Sequence, residues 1–124
     1  MRPVHFDIHC DDLERAKKFY GDLFGWTFQE YPGFPDYFAA VTGPKEEPGI
    51  NGGLTKRKPG QSGDAVIAYV CTLGITEDID VMIQKVIAAG GQSVVPKQDM
   101  GMGWLAYCKD TEGNIFGMMQ EKGK

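Results

Sequence analysis

The chain of 124 residues lacks the features that mark secreted, membrane-spanning or nucleic-acid-binding proteins. It has no run of about 18 apolar residues for a membrane span, and its N-terminal residues do not resemble the apolar core of a signal peptide. The 3 cysteines are odd in number and far apart, which argues against a disulfide framework and for a reducing compartment. With a net charge of −4, no basic surface is expected for nucleic acid. We therefore expect a cytoplasmic protein with neither nucleic acid nor membrane as a partner.

Motifs for common cofactor and nucleophile chemistry are missing as well. The sequence contains no G-x-G-x-x-G, no P-loop, no C-x-x-C and no G-x-S-x-G. Because no nucleophile stands beside a candidate base, acyl and phosphoryl transfer are disfavoured.

The first half of the chain predicts a strand, a helix and three further strands. Residues 4–9 alternate apolar and polar, and residues 13–24 carry apolar side chains at helical spacing. Asp11, with Glu14 three residues later, predicts the N-cap of this helix, and Gly25 predicts its end. Short β-rich segments at residues 26–30, 37–42 and 51–55 are separated by glycine and proline clusters.

The same order of elements returns in the second half. A strand is predicted at residues 65–72, a helix at 77–89, and strands at 92–97, 104–109 and 114–120, the last two joined as a hairpin. The sequence thus predicts an α+β fold: two βαβββ modules in tandem forming a concave mixed sheet with helices on the outer face. We expect a single domain with one module at 1–57, a linker at 58–64 and a second module at 65–124.

Three segments, in this order, resemble the vicinal-oxygen-chelate superfamily, which includes glyoxalases, bleomycin-resistance proteins and extradiol dioxygenases. Residues 5–26, HFDIHCDDLERAKKFYGDLFGW, resemble the opening strand and helix of that superfamily. Residues 51–55, NGGLT, resemble the strand that closes its first half. Residues 110–119, DTEGNIFGMM, resemble its closing D-P-x-G-N-x-x-E hairpin. The resemblance covers essentially the whole chain and implies the same fold.

The resemblance also implies where a divalent metal would be held in members such as glyoxalase I. The four ligand positions fall on His5, Gly53, Val66 and Gly117, and only His5 can coordinate through its side chain. A catalytic metal needs at least three protein ligands and open positions for substrate. We therefore expect no metal and no other cofactor.

Neighbouring side chains offer only a partial substitute for those ligands. His5, Asp7 and His9 share one face of the predicted strand. His5 and His9 are roughly 13 Å apart along it, too far for both imidazoles to reach one ion at about 2.1 Å. A site on this strand would need help from Asn51, Glu112 or a partner chain, and the alternative for His5 is a hydrogen bond to Asp7 or to a backbone carbonyl.

The concave face is the expected binding surface, since an internal duplication that leaves a concave sheet is a natural ligand site. We expect Gly53 and Gly117 to open volume there, although a bulge or close sheet packing explains these glycines equally well. The ligand-binding candidates are His5, Asp7, Asn51, Gly53, Val66, Ala68, Gly117 and Met119.

The leading hypothesis is a glyoxalase-like protein that binds a small, partly apolar organic molecule in the inter-sheet cavity without a catalytic metal. Bleomycin-resistance members bind their ligand in this way without catalysis. The alternative is a metal-dependent lyase, isomerase or dioxygenase with a rearranged ligand set around His5, and a third possibility is an interaction module with no small ligand. Because superfamily members commonly dimerise through these modules, the resemblance implies a homodimer.

Overall fold

A computed structural model of the chain describes residues 2–57 and 70–123. The chain divides into two compact units, Met1–Ile67 and Ala68–Lys124. Each unit holds one helix and one four-stranded mixed sheet, which confirms the two predicted βαβββ modules. The linker predicted at residues 58–64 lies outside the described residues.

The first module forms its sheet in the order β1-β4-β3-β2, with β1 parallel to β4 and the other neighbours antiparallel. One face of the sheet packs on the helix α1, where Cys10, Ala40 and Leu54 are fully buried. The opposite face carries no helix of this module. The elements are β1 (Asp7–Cys10), α1 (Leu13–Phe24), β2 (Thr27–Tyr31), β3 (Phe34–Val41) and β4 (Gly52–Lys56).

The ends of α1 follow local capping chemistry. Asp12 caps the N-terminus, with its side chain accepting a hydrogen bond from the Arg15 amide at 3.0 Å. The prediction of Asp11 as the cap was wrong by one residue, because two adjacent aspartates offer the same acceptor and only backbone geometry distinguishes them. Gly25 ends the helix in the left-handed conformation at φ 74°, as predicted.

The second module repeats this arrangement, in the order β5-β8-β7-β6 with β5 parallel to β8. One face of its sheet packs on the helix α2, and Ala106, Cys108 and Met118 are fully buried there. Burial raises the pKa of the Cys108 thiol, as is usual for a cysteine that fills apolar space in a core. The elements are β5 (Cys71–Ile75), α2 (Ile79–Ala88), β6 (Gln92–Asp99), β7 (Gly103–Lys109) and β8 (Ile115–Glu121).

The strand β5 ends later than predicted. The sequence favoured residues 65–72 because they are apolar, whereas the strand extends through Gly74 to Ile75. Glycine weakens a strand signal, but parallel pairing with β8, from Cys71 opposite Phe116 to Ile75 opposite Gln120, overrides that local preference. Residues 65–69 lie outside the described part of the chain. No helix in residues 2–57 and 70–123 is long and apolar enough to cross a bilayer.

Candidate functional site

Three polar side chains meet at one point of the first module. His5 Nε2 lies 2.9 Å from Asp7 Oδ1, and the Tyr37 hydroxyl lies 3.0 Å from the same imidazole nitrogen. Asp7 begins β1 and His5 precedes the strand by two residues, and the 2.9 Å contact shows that both side chains lie on the same side of the chain. Tyr37 comes from β3 and reaches across β4, where its backbone stands opposite Thr55. We call His5, Asp7 and Tyr37 the polar triad.

Gly53 makes the triad possible. It lies in β4, with Asp7 opposite it on β1 and Ala39 opposite it on β3. A Cβ atom at position 53 would collide with the hydroxyl and ring of Tyr37. The glycine therefore permits the close approach of a phenol to the sheet, and the volume expected to be open at this position is filled by Tyr37.

The proton arrangement within the triad follows from the limited capacity of one imidazole nitrogen. Nε2 either carries a proton and donates it to Asp7, or is bare and accepts from the Tyr37 hydroxyl. Burial, and after it the charge and hydrogen bonding of Asp7, raise the pKa of Tyr37, so the phenol stays protonated and acts as a donor. The side chains of His5 and Asp7 are 48% and 45% exposed, so a ligand can reach them.

The second module has a parallel arrangement around Gly117. Thr72 on β5 and Tyr107 on β7 both stand opposite this glycine. A Cβ atom there would lie 2.7 Å from Thr72 Oγ1 and 3.2 Å from Tyr107 Cε1. The volume expected at Gly117 is therefore filled as well, again by a tyrosine ring with a polar neighbour.

The pairing of β5 with β8 indicates which residue of the second module corresponds to His5 and so takes the third of the family's four metal-ligand positions. Thr72 stands opposite Gly117 as Asp7 stands opposite Gly53, so the residue that corresponds to His5 is two positions before Thr72. That residue is Val70, whereas the sequence prediction put this position at Val66, which lies outside the described residues. Valine at this position has no donor atom, so the change leaves the ligand count as it was.

The remaining sequence candidates lie elsewhere or outside the described residues. Asn51 holds the β3–β4 connection, where its carbonyl oxygen accepts from the Thr42 amide at 2.9 Å. Met119 stands opposite Leu105 and Gly74 in the second module. Glu112 is buried in the β7–β8 hairpin, where it accepts from the Thr111 hydroxyl at 3.0 Å. Val66 and Ala68 fall outside the described residues.

The residues present do not fit the metal that the fold family implies. Within residues 2–57 and 70–123, no group of three or more His, Cys, Asp or Glu side chains could hold an ion. Gly53, Val70 and Gly117 have no side-chain donor, and a longer side chain at either glycine would meet a tyrosine. His5 and Asp7 supply two ligands, one fewer than a catalytic metal site requires.

Known proteins share this fold. Residues 2–44 match a family model described as bleomycin resistance protein-like N-terminal. An enzyme of the glyoxalase/bleomycin resistance protein/dioxygenase family from Burkholderia phytofirmans superposes with a TM-score of 0.75 at 18% identity, over 95% of this chain and 97% of that one. The fosfomycin resistance protein FosX from Listeria monocytogenes gives a TM-score of 0.70 at 15% identity, over 99% and 95% of the two chains. The family model and these structures support the predicted resemblance to the vicinal-oxygen-chelate superfamily.

A curated relative resembles the chain by sequence. A Mycobacterium tuberculosis protein that carries the provisional name glyoxylase CFP32 is 28% identical over 125 residues, which is 95% of this chain. The match spans 45% of that relative, so the chain corresponds to less than half of its length. These findings bear out the predicted resemblance to the superfamily, and the structural likenesses at these identities show the fold alone.

Proposed function

We propose that this vicinal-oxygen-chelate protein binds a small, partly apolar organic molecule at the polar triad, without a catalytic metal. The observation that carries the proposal is the Tyr37 hydroxyl above Gly53, hydrogen-bonded to His5. The resemblance assigns a metal ligand of glyoxalase I to position 53, and the space that a side chain would fill there holds the phenol of Tyr37. The chemistry available to a ligand is therefore hydrogen bonding and apolar contact.

The polar atoms of the triad suit a ligand with one hydroxyl or carbonyl group. Tyr37 can donate to a ligand oxygen, and the Asp7 carboxylate can accept from a ligand donor. The His5 nitrogen accepts or donates according to its tautomer. The ring of Tyr31, 5.8 Å from that of Tyr37, supplies apolar surface next to these atoms. A few convergent polar groups beside apolar surface are typical of small-molecule sites.

The alternative is a metal-dependent lyase, isomerase or dioxygenase built around His5. Its basis is the His5–Asp7 pair, since an imidazole and a carboxylate this close can both ligate one ion. Such an ion would need a third ligand from a partner chain or from the substrate itself.

Calorimetric titration of the metal-stripped protein with Zn²⁺, Ni²⁺, Mn²⁺ and Fe²⁺ distinguishes the two functions, with His5→Ala as the control. We expect the unsubstituted protein and His5→Ala to give the same binding heat for each ion, either small or undetectable. Tight binding of one ion per chain that disappears in His5→Ala would refute metal-free binding and establish the alternative.

A thermal-shift screen of small carbonyl compounds, alcohols and acids tests the binding itself. Tyr37→Phe is the matched variant, because it keeps the ring over Gly53 and removes only the hydroxyl. A ligand of the triad should raise Tm, and its affinity should fall by about three- to tenfold in the variant, as for the loss of one hydrogen bond. If no compound raises Tm, or if every hit binds the variant equally, the triad is not the site.

A further inference from the structure

Tyr37 of the polar triad also belongs to a group of three aromatic rings, which extends toward the turn of the β2–β3 hairpin. The Tyr31 ring centroid lies 5.6 Å from that of Phe34 and 5.8 Å from that of Tyr37, with edge-to-face geometry at both contacts. Tyr31 is 52% exposed and Phe34 is 60% exposed. We call Tyr31, Phe34 and Tyr37 the aromatic corner.

The hairpin geometry explains why these rings stand together on the surface. Glu30 pairs with Phe38, but the next residue, Tyr31, pairs with Phe34, so the register breaks and part of β3 bulges. Pro35 lies in the bulge, where the lack of an amide donor costs no ladder hydrogen bond. Single exposed apolar side chains are ordinary, whereas a contiguous exposed group beside polar atoms indicates a contact surface.

The charged residues of the β2–β3 hairpin, which carries the aromatic corner, are of one sign. From residue 27 to residue 41 the sequence has two carboxylates, Glu30 and Asp36, and no lysine or arginine. The Asp7 carboxylate acts on Tyr37 directly, through its charge and a hydrogen bond. Aromatic faces are themselves negative and attract cations, so rings and carboxylates together favour a positive ligand group.

The same sheet already shows this kind of contact on its other face. Lys17 Nζ lies 3.9 Å from the ring centroid of Phe38, on the side that packs on α1. That ammonium also pairs with Glu14 at 2.6 Å, so a ring and a carboxylate hold it jointly. The aromatic corner offers the same combination of ring and carboxylate on exposed surface.

We propose that the aromatic corner, together with Asp7, binds the cationic end of a small organic ammonium compound. This inference rests on the proposed function, because it names the ligand class of the same site. The ammonium group lies against the rings of Tyr31 and Phe34, and the remainder of the ligand reaches the polar atoms of the triad.

Choline and its uncharged isostere, 3,3-dimethylbutan-1-ol, test the proposal, because they differ in charge but hardly in shape. Both are titrated into the full chain by NMR, beside Tyr31→Leu and Phe34→Leu. We expect choline to bind more tightly than the alcohol, and each variant to weaken choline by about two- to fivefold, as for an exposed ring–cation contact. Tyr31→Phe keeps a ring and should retain choline binding, and Val81→Ala on the exposed side of α2 should change neither titration.

The possible outcomes separate this inference from the proposed function. Equal affinity for choline and the alcohol overturns the cationic ligand but leaves a small-molecule site at the triad. If choline does not bind but compounds from the thermal-shift screen bind in a way that depends on Tyr37, the cationic ligand is again overturned and the small-molecule site remains. If Tyr31→Leu and Phe34→Leu convert a larger species to a smaller one in sedimentation, the aromatic corner is a contact between copies of the chain, and the proposal is wrong. Melting temperatures of every variant show that a lost signal is not a lost fold.

Discussion

The Tyr37 hydroxyl lies over Gly53, in the space that a Cβ atom at position 53 would occupy. The resemblance to the family assigns a metal ligand to position 53, and the space beside it here holds a hydrogen-bond donor. The contact also makes the two residues depend on each other. Any side chain at position 53 must displace Tyr37, and displacement of Tyr37 removes its hydrogen bond to His5.

Gly53→Ala should therefore lower the free energy of unfolding by about 1–3 kcal/mol, the usual cost of overpacking. Urea denaturation measures it, and Gly74→Ala is the matched control, since a Cβ there meets nothing within 4 Å. Combining Gly53→Ala with Tyr37→Ala should cost less than the sum of the single changes, by more than about 0.5 kcal/mol. Strictly additive losses would mean that the clash is relieved by movement elsewhere.

Gly117→Ala should destabilise the second module less than Gly53→Ala destabilises the first. The nearest atom to a Cβ at position 117 is Thr72 Oγ1 at 2.7 Å, and a threonine hydroxyl can rotate away, while Tyr107 is at 3.2 Å. Thr72→Ala in the same chain should recover most of the loss in denaturant midpoint. If Gly117→Ala lowers stability more than Gly53→Ala does, and Thr72→Ala does not restore it, then Tyr107 is the neighbour that cannot move away.

The repeat, both helices and most strand positions could be predicted from the sequence because they depend on local periodicity and on glycine and proline positions. The limits of β5 could not, since its pairing with β8 decides them across more than forty residues and Gly74 obscures the local pattern. The choice between Asp11 and Asp12 as N-cap also depends on backbone angles that the sequence pattern does not contain.

For the site, sequence alternation correctly put His5 and Asp7 on one side of the chain but missed Tyr37. Tyr37 is 32 residues from His5 and reaches it diagonally across β4. A usable signal was present: glycine within a central strand often marks the close approach of another group, and Tyr37 is a large side chain on the adjacent predicted strand. The role of Gly53 was therefore closer to sheet packing than to open volume.

The two glycines of the α1 region should respond to alanine in opposite directions. Gly25 has φ 74°, which alanine adopts only with strain, so Gly25→Ala should lower stability by about 1 kcal/mol. Gly21 lies inside the helix, with ordinary spacing to its neighbours at 3.4 Å or more, so Gly21→Ala should raise stability by about 0.5–1 kcal/mol. Thermal unfolding of both variants checks the prediction, and a shift in the same direction for both would contradict it.

The titration of Asp99, at the end of β6, should depend on its contact with Lys122. Lys122 Nζ lies 2.6 Å from Asp99 Oδ1 and 4.3 Å over the Trp104 ring. The hydrogen bond from Lys122, followed by that from the Gly101 amide, lowers the pKa of Asp99. A carboxyl whose pKa is depressed by folding stabilises the native state above its unfolded pKa, and this contribution is lost as the pH falls through the folded pKa.

Lys122→Met should therefore raise the pKa of Asp99 toward its ordinary value, as measured by carboxyl ¹³C NMR. The stability difference between the variant and the natural chain should also narrow as the pH is lowered through the titration of Asp99. Lys97→Met is the control, because Lys97 also lies over Trp104, at 4.7 Å, but pairs with Asp80. It should leave the Asp99 titration unchanged. If Asp99 titrates identically in the natural chain and in Lys122→Met, the Gly101 amide and not the lysine holds its pKa down.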